Sequence, residues 1–509
     1  MTSAAGAGGE REGGFADRAL IPVARIAVLA ALVHLCWATY IGISHPGLGY
    51  EPDLVANWLY FQRWAAHDQS LARLWYFPAP KLLLVFLLGP FADTVGVPLI
   101  AACAAAILAG SLVFIVGLAG GVGAGLAMAM LLAVDPSWNA LVAISSGDMY
   151  LAAAVAAAIV AWTLGRERLA AFAILLATLV KPLGAAAALP FLLDRSRPVR
   201  ARAEPAMGAA LGLVITWVGY VGVLGSSTEP NRFLAAFTTI LGGADPAGGW
   251  LYSYVSHSIG VDLLAHGWPL ALVGLAALAL PSGERALRLL TGAAIAVAGS
   301  FVLLAAITHT ALAPRFFWLV ELTAVGLAVS GAFTIARYLR AVRPALAYFA
   351  AAAALLLVGS DLNACRQRAV ARYTEPFERG FRAAVPLLDE LRVHLAPDDR
   401  VRVPLWMQPV AIWRLGLGAT PERVEAAETS AARHREPAQD GGPGTTWALF
   451  TPDYYETDAG AKWMASEVKC GYRLIDSVDL PAFLVRRDRS VRCAGSDEGG
   501  AETPPAPVS

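Results

Sequence analysis

Four short runs place charged side chains inside otherwise apolar sequence, and each carries a residue type that acid–base or phosphate chemistry uses. They are Tyr50-Glu51-Pro52-Asp53, Ser145-Ser146-Gly147-Asp148, Lys181-Pro182 and Ala313-Pro314-Arg315-Phe316-Phe317. Taken singly, each has a plain structural explanation. Asp53 and Asp148 stand where helices begin and could cap them, with Glu51 solvated. Lys181 could snorkel toward an interface, and Arg315 among aromatics could anchor a span at the membrane surface. Brought around one cavity, the same residues would suit a transfer reaction with an anionic leaving group. A carboxylate would deprotonate an attacking hydroxyl, and cations would stabilise a departing phosphate. Whether they meet depends on the elements that carry them.

Those elements belong to a membrane. Of 509 residues 57% are hydrophobic and only 15% charged, and the mean hydropathy is +0.56. A soluble surface needs about a quarter charged residues. The formal net charge is zero, which gives no basic footprint for nucleic acid. Four lysines (Lys81, Lys181, Lys462, Lys469) stand against thirty-five arginines. The five cysteines have no metal-ligand spacing. Cys36, Cys103 and Cys365 fall in or beside apolar segments, whereas Cys470 and Cys493 could pair if their region is extracytoplasmic.

At about twenty apolar residues per crossing, spans are expected near 21–43, 96–118, 120–135, 148–164, 206–224, 266–281, 287–307, 316–336 and 345–361. The first is too long for a signal-peptide core and is expected to be retained. Segment 169–193 is different, being apolar except for Lys181-Pro182 at its middle, with Arg166 and Arg168 before it and Arg195, Arg197, Arg200 and Arg202 after it. A single crossing would place a lysine at mid-bilayer, at about 2.5–3.5 kcal/mol, and arginines on both sides. Two half-length helices meeting at Lys181-Pro182 remove both conflicts and set the lysine inside the protein, lining a cavity.

With that hairpin, Arg18, Arg25, Arg166, Arg168, the 195–202 cluster, Arg285, Arg288, Arg337, Arg340 and Arg343 all fall on the cytoplasmic side, as the positive-inside rule asks. The turn at 117–125 has no basic residue of its own to orient it. Outer loops 44–80 and 135–148, the loops 225–265 and 308–315, and the C-terminal region then lie outside. Asp53, Asp148 and Arg315 share the outer side, and Lys181 points toward it. Within the first outer loop, 52–74 reads as an amphipathic helix in the interface, and the short apolar run 81–90 dips in or lies flat.

The implied organisation is a cytoplasmic tail (1–20), a multi-pass core (21–361), a small α/β domain (362–495) and a disordered tail (496–509). Within the α/β domain, 377–395 has a helical pattern and 400–405, 447–451 and 483–486 read as strands.

The order of these features resembles the GT-C superfamily of polyprenyl-phosphate-sugar-dependent glycosyltransferases, the bacterial mannosyltransferases and their envelope-building relatives in particular. It rests on the acidic first outer loop (Glu51, Asp53), the acid opening a span (Asp148), Gly165-Arg166 followed by LLATLVKPLGAAAALPFLL at 175–193, and PRFF at 314–317. The resemblance covers about 21–361. It implies a mainly α, polytopic transmembrane helical bundle of GT-C type with a small extracytoplasmic C-terminal α/β domain, in the cell membrane. It implies transfer of a sugar, mannose or similar, from a polyprenyl-phosphate donor to an envelope glycan, glycolipid or protein, with inversion at the anomeric carbon.

The resemblance assigns the general base to Asp53, with Glu51 its rival because Pro52 separates acids that many relatives have adjacent. It gives Asp148 a part in positioning substrate, and Lys181 and Arg315 the lipid phosphate. Independently of it, the loop holding Arg232, Trp250, Tyr252 and His257 has aromatics beside polar groups, as sugar stacking or an interfacial belt would. No cofactor is expected; a divalent ion between Asp53 and Asp148 is the one metal for which there is room. The competing readings are a transporter or flippase, which also uses broken helices with mid-depth charge, and an inactive scaffold of the same fold.

Overall fold

The computed structural model describes residues 10–44, 96–135, 138–139, 142, 147–224, 268–279, 284–308, 317–369, 375–404, 407–417, 420, 423–426, 444–450, 473–475 and 483–488. The chain divides into two compact units, Met1–Glu375 and Pro376–Ser509.

The first unit is helical: α1 (Glu10–Ser44), α2 (Gly96–Gly120), α3 (Val122–Val134), α4 (Gly147–Thr163), α5 (Glu167–Val180), a 3-10 helix (Pro182–Ala188), α6 (Leu189–Leu193), α7 (Val199–Leu224), α8 (Trp268–Ala279), α9 (Arg285–Thr308), α10 (Trp318–Val342) and α11 (Pro344–Ala369). Five of these contain stretches long and apolar enough to cross a membrane: Leu20–Ile41, Leu99–Gly120, Arg285–Leu304, Trp318–Val342 and Pro344–Asn363. The protein is therefore a polytopic membrane protein. Its surface agrees: α1 exposes Val28, Leu29, Leu32 and Val33 while burying Val23, Ala27 and Ala30. In water such a face would be a sticky patch, whereas lipid tails solvate it without penalty.

The span expected at 148–164 is present as Gly147–Thr163, whereas the one expected at 120–135 is shorter. Helix α3 has 13 residues, about 20 Å at ~1.5 Å per residue against a hydrocarbon core of about 30 Å. Beyond it the chain keeps Asp135 and Trp138 buried. Helical bonding resumes there, with the Asn139 N–H donating to the Asp135 carbonyl at 3.1 Å. The uncharged turn between α2 and α3 consists of Gly121, at φ +87°, and it borrows a cation: the Arg337 guanidinium donates to the Ala119 carbonyl at 3.1 Å, satisfying an end-of-helix acceptor.

The core runs along α2, α4, α5, α9 and α10, where Leu108, Leu112, Val155, Ile159, Ile174, Leu290 and Leu322 are fully buried. Helix α7 lies close against α5 because Gly208 has no side chain; a Cβ there would collide with the Ala171 carbonyl.

The second unit is α/β. After α12 (Glu375–His394) come β1 (Arg400–Val403), α13 (Gln408–Arg414), β2 (Val424–Ala426), β3 (Thr445–Phe450), β4 (Arg473–Ile475) and β5 (Phe483–Asp488). The sheet order is β2-β1-β3-β5-β4, with β1 parallel to β2 and β3, and β5 antiparallel to β3 and β4. The strands expected at 400–405, 447–451 and 483–486 are all present, and sequence reading did not mark β2 and β4, of three residues each. Asp399 fixes the β1–β3 junction. Its buried carboxylate accepts from the Thr445 N–H at 2.7 Å, the Ala396 N–H at 3.0 Å and the Trp447 indole at 3.1 Å.

Candidate functional site

The hairpin expected at Lys181-Pro182 exists, and the local sequence explains its form. A residue preceding proline is pushed out of the α region, and Lys181 is extended at φ −145°, ψ 125°. Its N–H closes α5 on the Ala177 carbonyl at 3.0 Å, and its carbonyl accepts from the Gly184 N–H at 2.7 Å. Pro182, lacking an N–H, opens the next helix, where none is needed. Gly184 makes the turn close: a Cβ there would lie 2.5 Å from the Ala177 carbonyl oxygen and 2.8 Å from Leu151 Cδ1.

The second arm differs from the α-helix expected, being 3-10 over Pro182–Ala188 and α only over Leu189–Leu193. A 3-10 helix rises about 2.0 Å per residue against ~1.5 Å for α. Seven 3-10 residues and five α residues therefore reach about 22 Å, matching the ~21 Å of the fourteen-residue α5. The two arms return to one level. There Arg197 meets Glu167 at 3.2 Å, and the Trp162 indole donates to Asp194 Oδ2 at 2.8 Å. Trp162 also packs edge-on against Phe191, with ring centroids 5.3 Å apart. Arg285 Nε joins Asp194 Oδ2 at 2.7 Å, tying the first residue of α9 to the same knot. Burial by itself would raise the Asp194 carboxyl. Hydrogen bonds from Trp162, Arg285 and Ser196, with the Arg285 charge, outweigh it and hold the group below the usual carboxylate range.

At the opposite end of the hairpin, Lys181 Nζ donates to Asp148 Oδ1 at 2.5 Å, the side chains being 17% and 6% exposed. Asp148 lies in the first turn of α4, where the helix dipole favours a carboxylate. The ammonium also lies 5.5 Å from the ring centroid of Phe301 on α9. Two of the residues singled out from sequence are thus brought together across 33 positions. Their direct pairing had no sequence signal beyond the shared side of the topology, and Phe301 was not singled out at all. An ammonium and a carboxylate, both largely desolvated, give this spot a cation able to meet phosphate oxygens and an acceptor able to orient a hydroxyl.

Other helix ends contribute aromatic packing. His34 of α1 stacks edge-on with Trp138 at 5.2 Å, and Trp138 lies 5.7 Å from Trp318. Phe317 and Trp318 are buried, so the aromatic run that opens α10 packs inward here and is not an interfacial anchor at these two positions. Glu51, Asp53, Arg232, Trp250, Tyr252, His257 and Arg315 lie outside the described residues, as do the first outer loop, Cys470 and Cys493. Among the described residues no group of three or more His, Cys, Asp or Glu side chains could hold a metal ion.

By sequence the chain matches no family model and no curated protein. By structure it is similar to ArnT from Cupriavidus metallidurans in the apo state, at a TM-score of 0.55 and 14% identity over 91% of this chain and 98% of that one. It is also similar to ArnT from Cupriavidus metallidurans bound to undecaprenyl phosphate, at 0.54 and 16% over the same shares. At such identities the likeness carries the fold alone, and this chain shares the polytopic helical fold of ArnT.

Proposed function

We propose that the protein is a membrane glycosyltransferase that moves a sugar, mannose or a similar one, from a polyprenyl-phosphate donor to an envelope glycan, glycolipid or protein outside the cytoplasm. The observation that carries this reading is the buried Lys181–Asp148 pair at the tip of a broken hairpin, within a fold shared with a protein solved with undecaprenyl phosphate bound. A lipid-linked donor gives a reason for chemistry at bilayer depth, where a soluble donor would have none.

In this reading the acceptor hydroxyl attacks the anomeric carbon and gives its proton to Asp53 or Glu51. The bond from that carbon to the phosphate oxygen breaks with inversion, and polyprenyl phosphate leaves with the electron pair. Lys181 and Arg315 hold the phosphate as its charge grows, and Asp148 keeps the lysine and the acceptor in place. Arg232, Trp250, Tyr252 and His257 line the sugar's side. The active side and the α/β domain (362–495) face away from the cytoplasm, in the cell membrane, with 496–509 a tail.

The test is transfer of radiolabelled sugar from polyprenyl-phosphate donors in membranes holding the wild type or Asp53→Asn. Label reaching glycan, lipid or protein with the wild type alone supports both the reaction and its base. Equal transfer by both removes Asp53 and turns attention to Glu51 or Asp148. No transfer from any donor by correctly inserted protein sinks the enzyme reading in favour of a transporter or a scaffold.

A further inference from the structure

We propose that Phe301 is a positioning residue that holds the Lys181 ammonium at the tip of the hairpin while its hydrogen bonds change partners. The inference rests on the reading of Lys181 as a phosphate-holding group. Lysine carries its charge on a flexible four-carbon stem with three donors, and Lys181 starts from an extended, helix-breaking backbone. Asp148 receives one of those donors. A phosphate oxygen that takes another donor competes with that carboxylate and pulls the flexible stem toward itself.

The ring of Phe301 resolves the conflict. It lies 5.5 Å from Nζ, within the range where a ring face attracts a cation, and that attraction occupies no N–H donor. Lys181 can therefore divide its donors between Asp148 and a phosphate oxygen while the ring keeps its charge where it is. Phe301 is itself 5% exposed and belongs to α9, whose first residue, Arg285, is bound to Asp194 at the base of the same hairpin. The ring is thus set at a fixed height by the helix that anchors the hairpin. A leucine could fill much of that space but has no negative face to offer.

Progressive fluorination of Phe301 (one, two, then three ring fluorines, introduced into the full-length chain) drains the ring face of charge with little change of shape. In lipid nanodiscs, undecaprenyl phosphate affinity is expected to fall about two- to threefold per fluorine, up to roughly thirtyfold in all. A parallel measurement needs no ligand. Melting temperatures of Phe301→Leu, Lys181→Met and the double variant should show a double loss smaller than the sum, because each change removes the same contact. Graded affinity with non-additive melting supports the proposal. A flat fluorine series with a wild type that binds, or strictly additive melting losses, overturns it. Non-additive melting with a wild type that binds no polyprenyl phosphate sinks the glycosyltransferase reading and leaves the ring's hold on Lys181 supported.

Discussion

At the base of the hairpin, Asp194 takes hydrogen bonds from an indole, a serine and a guanidinium; at the tip, Asp148 meets a lysine that lies beside a phenyl ring. Both ends set a carboxylate against a cation, but the partners differ in kind. Indole and guanidinium are planar and lose little freedom on binding, and they come from separate helices, so the base is a fastening. The lysine is long-stemmed and springs from a break in the helix, so the tip has a cation whose hydrogen bonds can change partners. The same charge chemistry serves holding in one place and exchange in the other.

The largest effect that could break this contrast is at the tip. Lys181→Met should lower sugar transfer by about 10²–10³-fold, and it should also destabilise the chain by about 3–5 kcal/mol by removing one member of a buried ion pair. Adding Asp148→Asn removes the carboxylate charge as well. Thermal unfolding of the double variant should recover toward wild type while transfer stays lost; recovery of both would make the tip a fastening like the base. Next is Asp194→Asn, which keeps the shape and loses the charge. A stability loss of about 1.5–3 kcal/mol is expected, with the donor KM of the folded fraction unchanged. A raised KM there would mean the base takes part in binding.

Gly184→Ala should cost about 1–3 kcal/mol, because the added carbon has nowhere to go beside Ala177 and Leu151. Its melting temperature and donor KM should move together, since the turn aims Lys181. The smallest effect concerns pH. The Asp194 carboxyl sits below its ordinary value of about 3.9, so its contribution is complete above that value and fades as pH falls through the lower folded one. The stability difference between wild type and Asp194→Asn should therefore shrink on acidification below pH ~4 and stay constant above it.

How much of this was legible beforehand depended on whether a residue's conflict was local. A lysine and a proline in the middle of an apolar run, with arginines before and after it, contradict a simple span, and the hairpin followed from those two conflicts. The strands Arg400–Val403, Thr445–Phe450 and Phe483–Asp488 also announced themselves through their own alternation or apolar runs. Other features were illegible because their causes lie far along the chain. The partnership of Asp148 with Lys181, the ring of Phe301 and the capping of α2 by Arg337 all depend on helix packing that no sequence window contains. Asp194 was hidden by its neighbours, a single acid among arginines already explained by membrane orientation. The 3-10 form of the second arm was missed because proline marks a start without specifying the pitch that follows.

The order of strands in the second unit has a consequence for how the chain is made. Strand β5, last in sequence, lies between β3 and β4, and among the described strands β4 has no other partner. A ribosome-bound chain can insert its helices one after another, yet this sheet stays open along one side until residue 488 has emerged. Stop codons before Phe483 would therefore leave β3 with a bare edge and β4 with nothing to pair to, and quality-control proteases should clear such chains even when every membrane helix is in place.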